Sequence, residues 1–285
     1  FTAYGGALSV GFAGGEIWGT TTNFLPAAGT LTLASSLAND IVTWTTDFSL
    51  GAANRAVAVA NGTAANDAAI SAVISGTGGL IKTGAGTLDL SGANTFSGQL
   101  HVQAGIVTVA SLGNSGDSGP VGTHGTLKLG NGTNPGILIY TGAGETSNRV
   151  IDLAGTTGGA TLQHDGSGAL ILSANPTVTG AGAKILTLTG TSTAANELQG
   201  VIANGASNTA LTKSGTGTWR LSGVNTYAGA TTVSAGTLVA TNSASFGTGT
   251  LALAGGTVQG DGSPLTFTNA LTISANSILG GASDL

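Results

Sequence analysis

Apolar residues along this chain fall at every second position for a few residues at a time, and glycine or asparagine then breaks the run. GTLTLAS at 29, GTLDLSG at 86, GTLKLG at 125, GTWRLSG at 217 and GTLALAG at 249 share this form, and ALILS at 169, KILTLTG at 184 and ALTIS at 270 fit it too. Period-2 alternation bounded by turn residues predicts short strands with one buried face. No comparably long stretch carries a helical stripe. Residues 52–74 are alanine-rich, but the alternation in AVAVAN and the Asn-Gly pair at 61 favour strand.

The pattern also repeats on a larger scale. Residues 80–109 (LIKTGAGTLDLSGANTFSGQLHVQAGIVTV) align without a gap on residues 211–240 (LTKSGTGTWRLSGVNTYAGATTVSAGTLVA), with 14 of 30 positions identical. Many short strands without helices leave a sandwich or barrel, or a solenoid, and the repeat favours the solenoid, in which each coil buries its inner row against its neighbours. At about 20 to 25 residues per coil the chain makes roughly 12 turns, a rod on the order of 60 Å long. Within the repeat, Leu88, Leu90, Trp219 and Leu221 are expected to face inward, with Asp89 and Arg220 outward. Gly84, Gly86, Gly215 and Gly217 suit places where a Cβ would clash, and Asn94 and Asn225 suit left-handed corners.

The stretches K-x-G-x-G-T-x-x-L-S-G-x-N-T-[FY]-x-G and V-x-A-G-x-[LV] run from Lys82 to Val107 and again from Lys213 to Leu238. This signature resembles the autotransporter-associated β-strand repeat, also called the passenger-associated transport repeat. The resemblance implies an all-β chain forming a single right-handed parallel β-helix. It also implies display or secretion by a Gram-negative-type bacterium, on a scaffold with no catalytic motif of its own. The strong match covers about a fifth of the chain, and the rest reads as degenerate coils of the same kind. The amphipathic strands and aromatic girdles of an outer-membrane barrel are not seen in this sequence.

Composition narrows the function. Charged residues make up 7%, against about 25% in an average soluble domain, yet hydrophobic residues reach 41%, so the chain folds and does not stay disordered. Its seven cations (Arg55, Lys82, Lys128, Arg149, Lys184, Lys213, Arg220) are scattered singly, which argues against nucleic-acid binding and leaves few tryptic sites. Without cysteine there are no disulfides and none of the usual structural zinc sites. No apolar run approaches the roughly 18 residues of a membrane-spanning helix. Phe1 is not an initiator methionine and no basic segment precedes an apolar one, so the chain reads as a mature product or a fragment.

Candidate chemistry is sparse. GNSGDSGPVG at 113–122 is similar to the loop around the nucleophile of chymotrypsin-type proteases, but only His101 precedes Ser118, and the sole aspartate between them is Asp117. The triad order His, Asp, Ser is therefore unmet, and the stretch is expected to be a turn. His101 corresponds to Thr232 in the other copy, which points to an outward strand position. His164-Asp165 is the most polar pair on the chain and reads as an Asp-Gly turn. No cofactor is expected. Structural calcium has its nearest candidates in GGTVQGDGS at 255 and GNSGDSG at 113, neither in tandem. Asn61-Gly62-Thr63 and Asn131-Gly132-Thr133 fit the glycosylation sequon, as a chain of this composition does by chance.

The two ends differ from the middle. Residues 1–48 hold seven of the 13 aromatics, and Glu16 is the single charged side chain in residues 1–39. Two parts follow: an aromatic cap or docking segment over residues 1–48, with Phe1, Tyr4, Phe12, Trp18 and Phe24 as its candidate contacts, and a β-solenoid over residues 49–285. At the other end LTFTNALTISANSILGGASDL keeps strand-like alternation almost to the last residue, and an open coil end invites strand pairing. The expected function is a non-enzymatic extracellular structural element, either the stalk of a surface protein or a fibre subunit whose partner is itself, end to end. Host or matrix glycans and proteins are further candidate partners. The alternative is a glycan-acting β-helix, enzyme or lectin-like adhesin, which needs clustered carboxylates, cations and aromatic platforms in a groove.

Overall fold

Inward-facing leucine, valine and isoleucine at alternate positions drive short strands to stack coil upon coil. In a computed structural model, which describes residues 1–280, this produces 28 strands and, among those residues, no helix. All strand pairings are parallel. One sheet of 12 strands runs the length of the stack in chain order, flanked first by sheets of six and three strands and then by one of seven. The chain is a parallel β-helix. Twelve layers at about 4.8 Å span roughly 53 Å, close to the expected rod length.

The repeat at 80–109 forms four strands: Leu80–Thr83, Thr87–Leu90, Leu100–Val102 and Gly105–Val109. The first stacks on the third, with Leu80 opposite Leu100, and the second on the fourth, with Leu88 opposite Val107. Coils are therefore about 20 residues long, and each 30-residue copy spans about one and a half of them. The copy at 211–240 repeats this with Leu211 opposite Thr231 and Trp219 opposite Leu238. The expected inward set is buried: Leu88, Leu90, Trp219 and Leu221. Each such side chain contributes about 1.5–3 kcal/mol by leaving water. Asp89 and Arg220 face outward and are partly exposed.

Gly84 and Gly215 sit at φ +76° and +66°, which only glycine adopts freely. Gly86 and Gly217 have ordinary φ. A Cβ there would lie 2.4 Å from the carbonyl oxygen of Ala60 or of Ser192 in the adjacent coil.

One expectation is corrected. Asn94 and Asn225 are not left-handed corners, since the described non-glycine residues with positive φ are Asn23 and Ala34. Both asparagines are buried and bridge three coils. Asn94 Oδ1 accepts from Ile74 N (2.7 Å) while Nδ2 donates to Pro120 O (2.8 Å), and Asn225 does the same between Ile202 N (2.8 Å) and Ser245 O (2.7 Å). Of the seven scattered cations, Arg55, Lys82, Arg149, Lys184 and Lys213 are buried. Each spends its N–H groups on main-chain carbonyls at the coil corners. Lys82 Nζ donates to Thr83, Gly84 and Ala104 (3.0, 2.8 and 3.1 Å), and Lys213 Nζ to Ser214, Gly215 and Ala235 (2.6, 2.9 and 3.2 Å). Burial lowers both ammonium groups to about 8, so they stay charged at neutral pH. The other two cations, Lys128 and Arg220, lie within the strands Thr126–Leu129 and Thr218–Leu221.

Residues 1–48 enter the same stack. Leu8–Val10 pairs with Val42–Trp44, Glu16–Ile17 with Phe48–Ser49, and Thr30–Leu33 with Arg55–Val59. Their aromatics gather around Trp44, whose ring lies 6.0 Å from Phe1, 5.3 Å from Phe12, 6.1 Å from Phe24 and 5.7 Å from Phe48.

Candidate functional site

The stretch GNSGDSGPVG lies in the loop joining Gly105–Val109 to Thr126–Leu129, and it is a turn, with Asn114 through Ser118 exposed. Local hydrogen bonds shape the tip: Asn114 N donates to Asp117 Oδ2 (2.9 Å), Asp117 N to Asn114 O (3.0 Å) and Gly116 N to Thr123 O (2.9 Å). Side chains from neighbouring coils then fasten it. Arg149, fully buried, donates from Nε to Leu112 O (2.7 Å), from Nη2 to Asp117 O (3.0 Å) and Gly122 O (2.7 Å), and from Nη1 to His124 O. Burial lowers its pKa, against the pull of Asp117 and Glu145. The Glu145 carboxylate accepts from Ser111 Oγ (2.9 Å), Gly113 N (3.1 Å) and Leu112 N, and Asn148 Oδ1 accepts from Ser115 N (2.7 Å). Asn94 closes the far side through Pro120 O. These bonds hold the loop's backbone at many points, while Asn114 to Ser118 remain exposed.

The histidines are engaged elsewhere. His101 Nε2 contacts Gly130 O (2.9 Å), on an outward position as its counterpart Thr232 suggests. His124 Nδ1 accepts from Thr126 N (3.0 Å). His164 does not belong to the turn that follows it; it ends the strand Ala160–His164 with its side chain fully buried, and the turn starts at Asp165. Among the described residues, no histidine hydrogen-bonds to Ser118, and no three His, Asp or Glu side chains come together as a metal site. In the two stretches weighed for calcium, Asp117 is occupied by Asn114 N and Asp261 pairs with Arg220 at 3.2 Å.

The sequence-selected aromatic contacts divide. Phe1, Tyr4 and Phe12 are exposed, Phe24 is half-buried, and Trp18 is fully buried, its Nε1 donating to Pro26 O (3.1 Å) under the Arg55 guanidinium. Trp18 thus belongs to the core and is not a free contact. Phe1, Phe12, Phe24, Leu25 and Trp44 line a hollow of about 260 Å³ at this end. At the other end, Leu271, Ile273, Ile278 and Leu279 are exposed on the outermost strands, beside a hollow of about 310 Å³ lined by Leu251, Leu265 and Phe267. The last five residues of the strand-like tail lie outside the described residues. All three tryptophans are buried, so none offers a sugar-stacking platform.

What sequence reasoning missed is the set of buried cations and asparagine bridges. Strand parity carried the signal: Lys82 shares a face with Leu80, Lys213 with Leu211, and Arg55 with Val57.

Residues 80–109 and 211–240 match the family described as passenger-associated-transport-repeat. The chain therefore carries two copies of this repeat. It is also 34% identical over 262 residues to the adhesin BmaC autotransporter of Brucella suis biovar 1 (strain 1330), an alignment that takes in 90% of this chain and 7% of that protein. The chain thus spans a small fraction of the relative's length. No solved structure matches it.

Proposed function

We propose that these passenger-associated transport repeats form a rigid, non-enzymatic arm of a bacterial surface passenger, and that the arm carries the Asn114–Ser118 tip as an adhesive element. The observation that carries this reading is the fastening of an exposed tip by buried Arg149 and Asn94 and half-buried Glu145, because recognition elements work best on loops fixed by a rigid scaffold. The alignment with a protein named an adhesin supports the surface role. A matrix or host-cell protein or glycan is the partner class. The test replaces residues 114–118 with a Gly/Ser segment of equal length in cells that display the chain. Loss of adhesion to host cells or matrix, with unchanged thermal unfolding, is expected; undiminished adhesion would remove the tip from the reading.

The exposed apolar strands Leu271–Ile273 and Ile278–Leu279 support a second reading, in which copies join end to end. Negative-stain microscopy at micromolar concentration separates the two. Uniform fibres that disappear on Ile273→Asp favour joining, and isolated short rods favour the arm alone.

A further inference from the structure

We infer that His164 is an acid-sensitive point in the middle of the rod, at which protonation loosens the coils on either side. The stacked partners in its inward column are Val109, Tyr140, His164 and Gly190, from successive strands of the long sheet. His164 is fully buried there. Its Nδ1 accepts from Gly166 N at 3.1 Å, which places the proton of the neutral ring on Nε2. That Nε2 has no hydrogen-bond partner. The neutral ring therefore already leaves one donor unmet, and it has no capacity for a second.

The surrounding groups do not compensate. The strand below brings Tyr140, with rings 5.0 Å apart; its hydroxyl already accepts from Gly144 N (3.1 Å), and burial and Glu145 push the phenol's pKa up. The strand above brings Gly190, which has no side chain, and its one titratable group, Lys184, sits at the opposite end with its ammonium on the carbonyls of residues 180–182. Asp165, next in the chain, is held by Gln163 Nε2 (2.5 Å) and by Thr191 N and Oγ1 (2.9 and 3.0 Å). Burial lowers the imidazole pKa, and the carbonyls of Gly168 and His164 and the charge of Asp165 only temper that push.

A second proton must enter at Nδ1, where the Gly166 N–H already points. Two donors then face each other, and a cation is left in the core with the Gly168 and His164 carbonyls near it but no acceptor in hydrogen-bond geometry at Nε2. Because the folded state holds the histidine below its ordinary value, the coil's stability is fully present above pH of about 6.5 and declines as pH falls below it. The loosening exposes the amides of Gly136–Tyr140, Ala160–His164 and Lys184–Gly190.

Amide hydrogen exchange read by mass spectrometry on this chain, corrected for intrinsic exchange rates, tests the inference at pH of about 7.5 and about 5. Peptides from 136–192 are expected to lose protection by on the order of tenfold at the lower pH, near the linkage limit of roughly tenfold per pH unit. Peptides from 231–260, which hold no titratable side chain, serve as the internal control. His164→Leu should abolish the loss, since the same column accepts Val109. If that variant folds poorly, His164→Phe against Tyr140 takes its place. Equal protection of 136–192 at both pH values in the unmodified chain would overturn the inference. So would a loss that persists in the variant or extends equally over 231–260.

Discussion

The two repeat copies share their local structure but not their place in the rod. Copy one gives its second and fourth strands to the 12-stranded sheet, whereas copy two gives its first and third. Between them the six-stranded sheet stops at Val150–Leu153 and the seven-stranded sheet begins at Glu145–Ser147, and Arg149 sits between these two strands. What survives the exchange of faces is a set of hydrogen bonds: a lysine on three carbonyls, an asparagine bridging three coils, a left-handed glycine at the corner. The repeat thus encodes how a coil closes and how it meets its neighbours. Which sheet it joins is set by the coils before and after it.

The lysines are where the copies differ most in energy. Lys82 feels the Asp67 carboxylate, which accepts from Gly62 N (2.6 Å) and Thr87 N (2.8 Å); Lys213 has no such partner. Lys82→Met leaves three carbonyls unmet and also removes a cation from the neighbourhood of buried Asp67, so its cost should exceed the about 1–3 kcal/mol of unmet carbonyls alone. Lys213→Met leaves carbonyls alone, at a cost of about 1–3 kcal/mol. Chemical denaturation of the two variants measures the difference, and equal losses would remove Asp67 from the comparison.

The asparagines sharpen it in the other direction, because their surroundings match. Asn94→Ala and Asn225→Ala each orphan one buried N–H and one buried carbonyl, so each should cost about 2–3 kcal/mol, equal within error. A markedly smaller loss at Asn94 would mean that the loop ending at Pro120 adjusts to recover its bond. That outcome would also bear on the tip, since Pro120 belongs to the segment that Asn94 fastens.

Most of the architecture was legible because period-2 alternation depends on inner rows that are almost wholly aliphatic, as in Leu186, Leu188 and Leu211. The polar members of those rows were not. Arg55, Lys82, Lys184, Lys213 and His164 occupy inward parity, but a charged or polar residue is ordinarily assigned to solvent, since its burial is costly without partners. Here the partners are main-chain carbonyls at coil corners, and no sequence pattern marks a free carbonyl. The candidate loop was legible as a turn in GDSGP, while its anchors, Glu145 and Arg149, lie more than 20 residues further on and meet it only through stacking.

The smallest difference lies on the outer face, where the copies carry opposite charge. Arg220 spans Glu197 (3.6 Å) and Asp261 (3.2 Å) but is 36% exposed, so water and salt screen the pairs. Arg220→Ala is expected to lower stability by less than about 1 kcal/mol, and by less still at high salt. Asp89 has the opposite sign of effect. Burial raises its pKa, so the charged form is disfavoured in the fold; its contribution is most favourable below the ordinary aspartate pKa and weakens as pH rises. Asp89→Asn should therefore raise the melting temperature slightly at neutral pH and leave it unchanged in acid. Melting curves for both variants at two pH values and two salt concentrations decide the matter. If both substitutions were destabilising, each charge would be held by its own local partner, and the outer position would be more than a place that tolerates either sign.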